Sequence, residues 1–308
     1  MSILRRDELP AENKYQLPLF VDESRLPTTK NHISYSEISD WMDCSYRHKL
    51  KFIDKIDLDK PSIHTINGHV LHWALEHFLK TKVMKTHEEI LAEFRQGINE
   101  LLTVLIDKNQ SEFDKTLASR KEFEDNLPDM IGQVPGWINE NFPGWSFVSA
   151  EQKLFEPVDG QKNIRFKGFI DSVIKVPVRS KRRRPDQGEF EYWIIDFKTC
   201  SWGWKIEQKR SFQKQLQLIL YKHYLSQVLN INLKDIKCAF LLVKRTVKKS
   251  RTPYDRVELV PVSVGPKSIE KAIQTQHSML NQIRKKIALK NKSSCEPFCP
   301  YKFTKHCF

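Results

Sequence analysis

The period of the apolar positions changes near the middle of the chain. Through about the first 140 residues, apolar side chains recur at three- and four-residue spacing, the signature of helices with one buried stripe. Ser34 and Glu37 form a capping-box pattern, after which Ile38, Trp41, Met42 and Leu50 recur at helical spacing. NGHVLHWALEHFLK, residues 67–80, predicts a second helix, and a third begins near Thr86 and Glu89 with Ile90, Leu91, Phe94, Ile98, Leu101, Leu102 and Leu105 on its apolar face. From Trp145 onward the apolar residues fall instead in short runs rich in β-branched and aromatic side chains. FVSAEQKLF, IRFKGFIDSVIKV, FEYWIIDFKT, IKCAFLLV and RVELVPV predict strands. SKRRRPDQGE divides the second run from the third, and its Pro185 and Gly188 suit a loop, so residues 163–198 predict a long hairpin with a basic tip. Helices are expected from Ser211 to about Leu229 and from Pro266 to about Leu289.

Helices, then an antiparallel hairpin, then helix, strand and helix describe a mixed α/β domain with one sheet covered by helices. The 308 residues suffice for one large domain with a real core. Residues 1–31, polar and with three prolines, read as an extended arm. The domain proper, 32–308, divides into a helical part at 32–140, a sheet core at 141–264, and a C-terminal helix with a cysteine cluster at 265–308.

Composition narrows the partners. The chain carries 51 basic against 38 acidic residues, a net charge of +13. Three runs hold much of the excess: RSKRRR at 179–184, KRTVKKSR at 244–251 and RKKIALKNK at 284–292. A single run is most simply a solvated loop; three together point to a polyanion, and nucleic acid is the obvious one. No apolar stretch approaches the roughly 20 residues of a membrane span, and acids and prolines interrupt any apolar signal core at the N-terminus. The expected workplace is the cytoplasm, or the host's cytoplasm for a viral protein.

The candidate chemistry sits at the end of the third strand run. Side chains alternate across a strand, so Asp196 and Lys198 project on one face and Phe197 on the other. The hairpin would bring Asp171 beside Asp196. Two carboxylates converging in an apolar sheet repel each other unless a cation lies between them. Oxygen ligands suit magnesium or manganese, an ion that activates water and stabilises a phosphoryl oxyanion, and the Lys198 ammonium is placed to orient that water or offset developing charge. Taken alone, the same residues also fit a surface ion pair at a strand end. Of six cysteines, Cys295, Cys299 and Cys307 crowd the last fourteen residues. With no export signal, a metal site explains that crowding better than disulfides do.

Five segments in order, SYSEISDWMDCSYRHKLKFI, GHVLHWALE, GFID, IIDFKT and QLILY, resemble the motifs of the RecB-like branch of the PD-(D/E)xK nucleases. That branch includes the exonucleases of CRISPR adaptation and the nuclease domains of bacterial recombination helicases. The resemblance runs from about Ser34 to the C-terminus. It implies a restriction-endonuclease-like central mixed sheet flanked by helices, with an N-terminal helical segment and a C-terminal cysteine cluster. It also implies that His72, Asp171, Asp196 and the backbone carbonyl of Phe197 bind the metal and that Lys198 is catalytic. Glu151 resembles the family's acidic residue on the preceding strand. Gln217 and Tyr221, one helical turn apart, suit contact with the active site or the DNA backbone, a packed tyrosine on a polar face being the other reading. Glu76, four residues after His72, is placed to orient its ring.

In iron-sulfur members of this family, one cysteine of the opening helix joins three near the C-terminus around a four-iron four-sulfur cluster. Cys44 with Cys295, Cys299 and Cys307 resembles that layout. The gaps of three and seven residues depart from the family's usual two and five, so a structural zinc completed by His306, or free thiols, are alternatives. Cys200 and Cys238 read as buried or incidental. The expectation is a metal-dependent deoxyribonuclease, an exonuclease on DNA ends or single strands in recombination, repair or replication. A non-cleaving binding module on the same scaffold is the rival, and a nuclease subunit of a larger recombination or adaptation complex is a third reading. No G-x-x-x-x-G-K-[ST] loop occurs, so any helicase would be a separate chain.

Overall fold

The computed structural model describes residues 30–59, 61–107, 109–178, 189–247, 253–295 and 299–307. The expected arm, save residues 30 and 31, the basic tip at 179–184 and residues 248–251 of the second basic run lie outside the described residues.

Two compact units share the chain. The first combines the described residues up to Asp57 with Phe155–Lys167 and the chain from Gly265 onward. It contains strand β1 (His32–Ser34) and helices α1 (Tyr35–Asp43) and α2 (Ser45–His48), a π-helical turn at Lys49–Ile53, and the last long helix, α8 (Pro266–Arg284). Ser34 caps α1 as expected, its Oγ accepting from the Glu37 N–H at 3.3 Å. Glu37 does not close the box. Its buried carboxylate pairs instead with His48 Nε2 at 3.1 Å and Lys30 Nζ at 2.5 Å. Burial pushes that carboxyl up, but His48 and Lys30 outweigh it and hold it below its ordinary value. The opening helix also breaks where one continuous helix was expected. Cys44 is extended (φ −160°, ψ 108°), and its Sγ accepts the Arg47 N–H at 3.5 Å to start α2. α8 stops at Arg284, short of Leu289, because Lys286 turns into the left-handed region at φ 56°.

Residues 58–154 and 168–264 form the second unit. Helices α3 (Ile63–Thr81), α4 (His87–Leu105) and α5 (Gln110–Asn141) come first. The box predicted at α4 is complete: Thr86 Oγ1 accepts from Glu89 N–H at 3.2 Å, and Glu89 Oε2 accepts from Thr86 N–H at 2.8 Å. Strands β2 (Ser146–Pro157), β3 (Arg165–Pro177) and β4 (Phe190–Cys200) follow; then come α6 (Ile206–Arg210), α7 (Phe212–Val228), β5 (Ile236–Lys244) and β6 (Val257–Val262). β3 and β4 form the expected antiparallel hairpin, with Ser172 opposite Ile195 and Ile174 opposite Trp193. β4 and β5 are parallel, as a crossover through α7 requires. β6 pairs antiparallel with β5, and β2 pairs with β3. The result is a mixed six-stranded sheet flanked by helices. β1, which runs parallel to the start of β3, had no sequence signal, since three residues are too few to show alternation.

α3, α4 and α5 lay one apolar layer on this sheet. Val70, Leu75, Phe94 and Ile131 pack in one cluster with Ile195, Phe197 and Leu241. Each such side chain contributes about 1.5–3 kcal/mol by leaving water, so the strand residues facing this layer are held rigidly. Among the described residues, no helix is long and apolar enough to cross a membrane.

Candidate active site

The hairpin ladder ends at the site. One step beyond the Ser172–Ile195 pair, Asp171 and Asp196 face each other. There the Phe197 N–H donates to Asp171 Oδ2 at 2.8 Å, a side chain taking the place of the neighbouring backbone. The Phe197 ring enters the helical core at 2% exposure, and its carbonyl turns toward α3, where His72 Nε2 lies 3.2 Å away. His72 Nδ1 is 3.5 Å from Asp171 Oδ2. Burial, partly opposed by the charge of Asp196, holds this imidazole neutral more firmly than usual. A neutral ring has one N–H to give. It therefore satisfies only one of its two acceptor neighbours and keeps a lone pair on the other nitrogen.

Asp196 is fully buried, and neither of its carboxylate oxygens accepts a hydrogen bond. Lys198 Nζ lies 2.7 Å from Asp196 Oδ2, close enough for an ion pair but outside hydrogen-bonding geometry. The Asp171 carboxyl is pushed well above its ordinary value, by burial first and by the charge of Asp196 second, against the pull of Lys198 and the Phe197 N–H. A carboxylate with both oxygens unmet, crowded against a second carboxyl, is what a hard divalent cation stabilises.

Glu151 completes the arrangement through an unusual backbone. It lies in β2 with φ +48°, a left-handed conformation that costs a non-glycine residue about 1–2 kcal/mol and re-aims the side chain out of simple alternation. Ligand atoms of His72, Glu151 and Asp171 all fall within 4.8 Å of one another. Burial and the nearby Glu76 push the Glu151 carboxyl up, with Lys80 opposing. Hard oxygens plus one imidazole fit magnesium or manganese. Replacing His72 with alanine should raise the Mn²⁺ concentration needed for half-saturation by at least about tenfold, measured by calorimetry. Unchanged affinity would remove His72 from the ligand set.

Glu76 does not orient His72: it pairs with Lys80 at 2.5 Å, the i,i+4 neighbour on its exposed helix face. Gln217 and Tyr221 are buried, at 8% and 5% exposure, and Tyr221 feels the charges of Asp196 and Asp171, so of the two contacts their spacing suited the pair lies on the active-site side. Gln217 Nε2 donates to Tyr221 Oη at 3.3 Å. Burial pushes the Tyr221 hydroxyl up and Asp196 and Asp171 add to it, while a hydrogen bond from the backbone of Phe169 pulls the other way. The pair thus backs the acids and pins β3. Lys80, which the sequence reading left out, was signalled only by its four-residue spacing from Glu76.

In the first unit, Cys44 is buried and Cys295, Cys299 and Cys307 are half-buried, all as free thiols. The Arg47 and Asn291 N–H groups point at Cys44 Sγ, at 3.5 and 3.4 Å. Burial, then Cys299, Cys307 and Cys44 in that order, push the Cys295 thiol up, so each of the other three sulfurs is near enough to act on Cys295. Among the described residues they do not converge tightly enough to form a ligand group, and residues 296–298 lie outside that set. Cys238 is buried, as expected, and burial pushes its thiol up to about 12. Two residues of the second basic run have internal duties. Arg245 pairs with Glu122 at 3.0 Å and stacks on Phe123, and Lys244 lies 3.9 Å from Glu258.

The chain matches the family model of the PD-(D/E)XK nuclease superfamily over residues 32–304. None of the curated proteins compared with the chain matches it.

Proposed function

The chain belongs to the PD-(D/E)XK nuclease superfamily and is a nuclease; we propose that it is a magnesium- or manganese-dependent deoxyribonuclease of the RecB-like type, an exonuclease working in recombination, repair or replication. One observation carries the metal assignment: the buried Asp196 carboxylate, without a hydrogen bond on either oxygen, lies beside Asp171 and within 2.7 Å of the Lys198 ammonium. Asp171, Asp196, His72 and the Phe197 carbonyl would hold the ion, with Glu151 beside them. When bound, it supplies an acidified water and neutralises charge on the phosphoryl oxygens.

The residues of the chain do the positioning. Asp171, tied to the Phe197 N–H, holds the carbonyl of Phe197 outward. Lys198, whose side chain is 34% exposed beside a fully buried acid, reaches toward the substrate to orient the attacking water and offset charge as it develops. Lys285, Lys286 and Lys292 are exposed and hold DNA through phosphates, so binding weakens steeply with salt and carries no sequence preference. The site works in the cytoplasm.

End-labelled linear DNA and closed circular DNA with Mg²⁺ test this reading. Progressive loss of the linear form with survival of the circle is expected. If Mg²⁺ or Mn²⁺ supports cleavage of neither, the rival holds: a module that binds nucleic acid without cutting it.

We also propose that Cys44, Cys295, Cys299 and Cys307 hold a four-iron four-sulfur cluster. Support comes from the backbone N–H groups aimed at Cys44, as thiolate ligands require, and from the nearness of the other three cysteines to Cys295. Protein purified without oxygen should contain iron and sulfide and absorb in the visible range, and Cys299→Ser should lose both signals. Zinc in place of iron, dependent on the same cysteine, would overturn the cluster in favour of a structural zinc site.

A further inference from the structure

Phe169 lies in β3 two residues before Asp171. Alternation puts its ring on the face of that carboxylate, about 7 Å along the strand. It is 43% exposed, while the adjacent Ile170 is fully buried. Among the described residues it is the one exposed large apolar side chain that belongs to a strand. At that exposure the residue forgoes somewhat under half of the roughly 1.5–3 kcal/mol that full burial would give. The backbone under the ring is held firmly, through the hydrogen bond between Phe169 and the Tyr221 hydroxyl, which Gln217 also supports. A rigid, exposed aromatic face therefore stands one nucleotide's reach from the acids that would receive a phosphate.

We infer that Phe169 stacks against the base of the nucleotide adjoining the scissile phosphate, and that the site therefore takes unpaired DNA, as a single strand or a frayed end. The inference rests on the deoxyribonuclease reading above and specifies its substrate. Acids and an ammonium can hold a phosphodiester but have no affinity for a base. Every base, by contrast, has a π face, and stacking on an aromatic side chain is sequence-tolerant. Within a duplex both faces of a base are covered by its neighbours, and exposing one requires unstacking. An aromatic platform beside the cutting point accordingly favours DNA that is already unpaired there.

The experiment has two arms. In the first, 2-aminopurine is moved one position at a time through a single strand bound with Ca²⁺ in place of Mg²⁺. Its fluorescence should be quenched at one position near the cleavage point, with the quench lost in Phe169→Ala and kept in Phe169→Tyr. In the second arm, with Mg²⁺, Phe169→Ala should lower kcat/KM on single strands about tenfold. An abasic residue at the quenched position should lower the unaltered protein to the level of the variant, a comparison that does not depend on the variant's folding. The inference is overturned if no position shows a Phe169-dependent quench, or if base-bearing and abasic strands are cut alike by the unaltered protein. Cleavage without that quench sinks this inference alone; the quench without any cleavage sinks the nuclease reading and leaves the stacking contact standing.

Discussion

Lys198→Ala should lower kcat for DNA cleavage by about 10²–10³-fold, the usual loss when a charge-stabilising donor leaves an active site. KM should change little, because the interaction is made mainly in the transition state. The ammonium is an ion-pair partner of Asp196, at 2.7 Å. Its removal leaves that carboxylate free for a cation, so Mn²⁺ should bind the variant at least as tightly as the parent. Calorimetry together with single-turnover cleavage reads both quantities. A variant that cuts as fast as the parent removes Lys198 from the mechanism; one that loses Mn²⁺ binding makes the lysine a scaffold for the metal site instead.

Asp171→Asn should abolish cleavage and, in EDTA, make the protein more stable. The amide oxygen can still accept the Phe197 N–H that Asp171 Oδ2 accepts at 2.8 Å, so the local backbone is preserved. What disappears is a buried charge facing Asp196. The folded-state value of Asp171 is raised well above 3.8, and the sign follows. Below 3.8 the group is protonated in both states and burial costs it little. As pH rises through the raised folded value, ionisation increasingly favours the unfolded chain. The stability advantage of the asparagine variant over the parent is therefore small near pH 4 and grows toward neutral pH, to about 1–3 kcal/mol. Mn²⁺ should reverse the ranking by stabilising only the parent. Thermal unfolding across pH, with and without Mn²⁺, measures this. An equal advantage at every pH would assign the effect to packing rather than to charge.

The deepest differences between sequence and structure concern residues whose partners lie far along the chain. Glu37 sits at capping-box spacing from Ser34, yet its carboxylate goes to His48 and Lys30, because a buried acid gains more from an imidazole and an ammonium together than from one backbone N–H. Glu76 has the spacing to steady His72, yet pairs with Lys80. The spacing of Gln217 and Tyr221 left contact with the active site and with a DNA backbone both open, and the crossover helix, packed on the sheet, turns them toward the acids.

The amino-acid order alone determined what depends on local periodicity. The helical stripes of α3 and α4, the capping box at Thr86, the hairpin holding Asp171 and Asp196, and the opposed directions of Phe197 and its charged neighbours all follow from spacings of 3.6 and 2. Only the tertiary structure decided where the ladder ends, how Glu151 reaches the site through a left-handed turn of its backbone, and that Asp196 is buried with both oxygens unmet. Those facts depend on which strand and helix surround a residue. Burial and electrostatic environment are set by neighbours brought together in space, and no short window of sequence contains them.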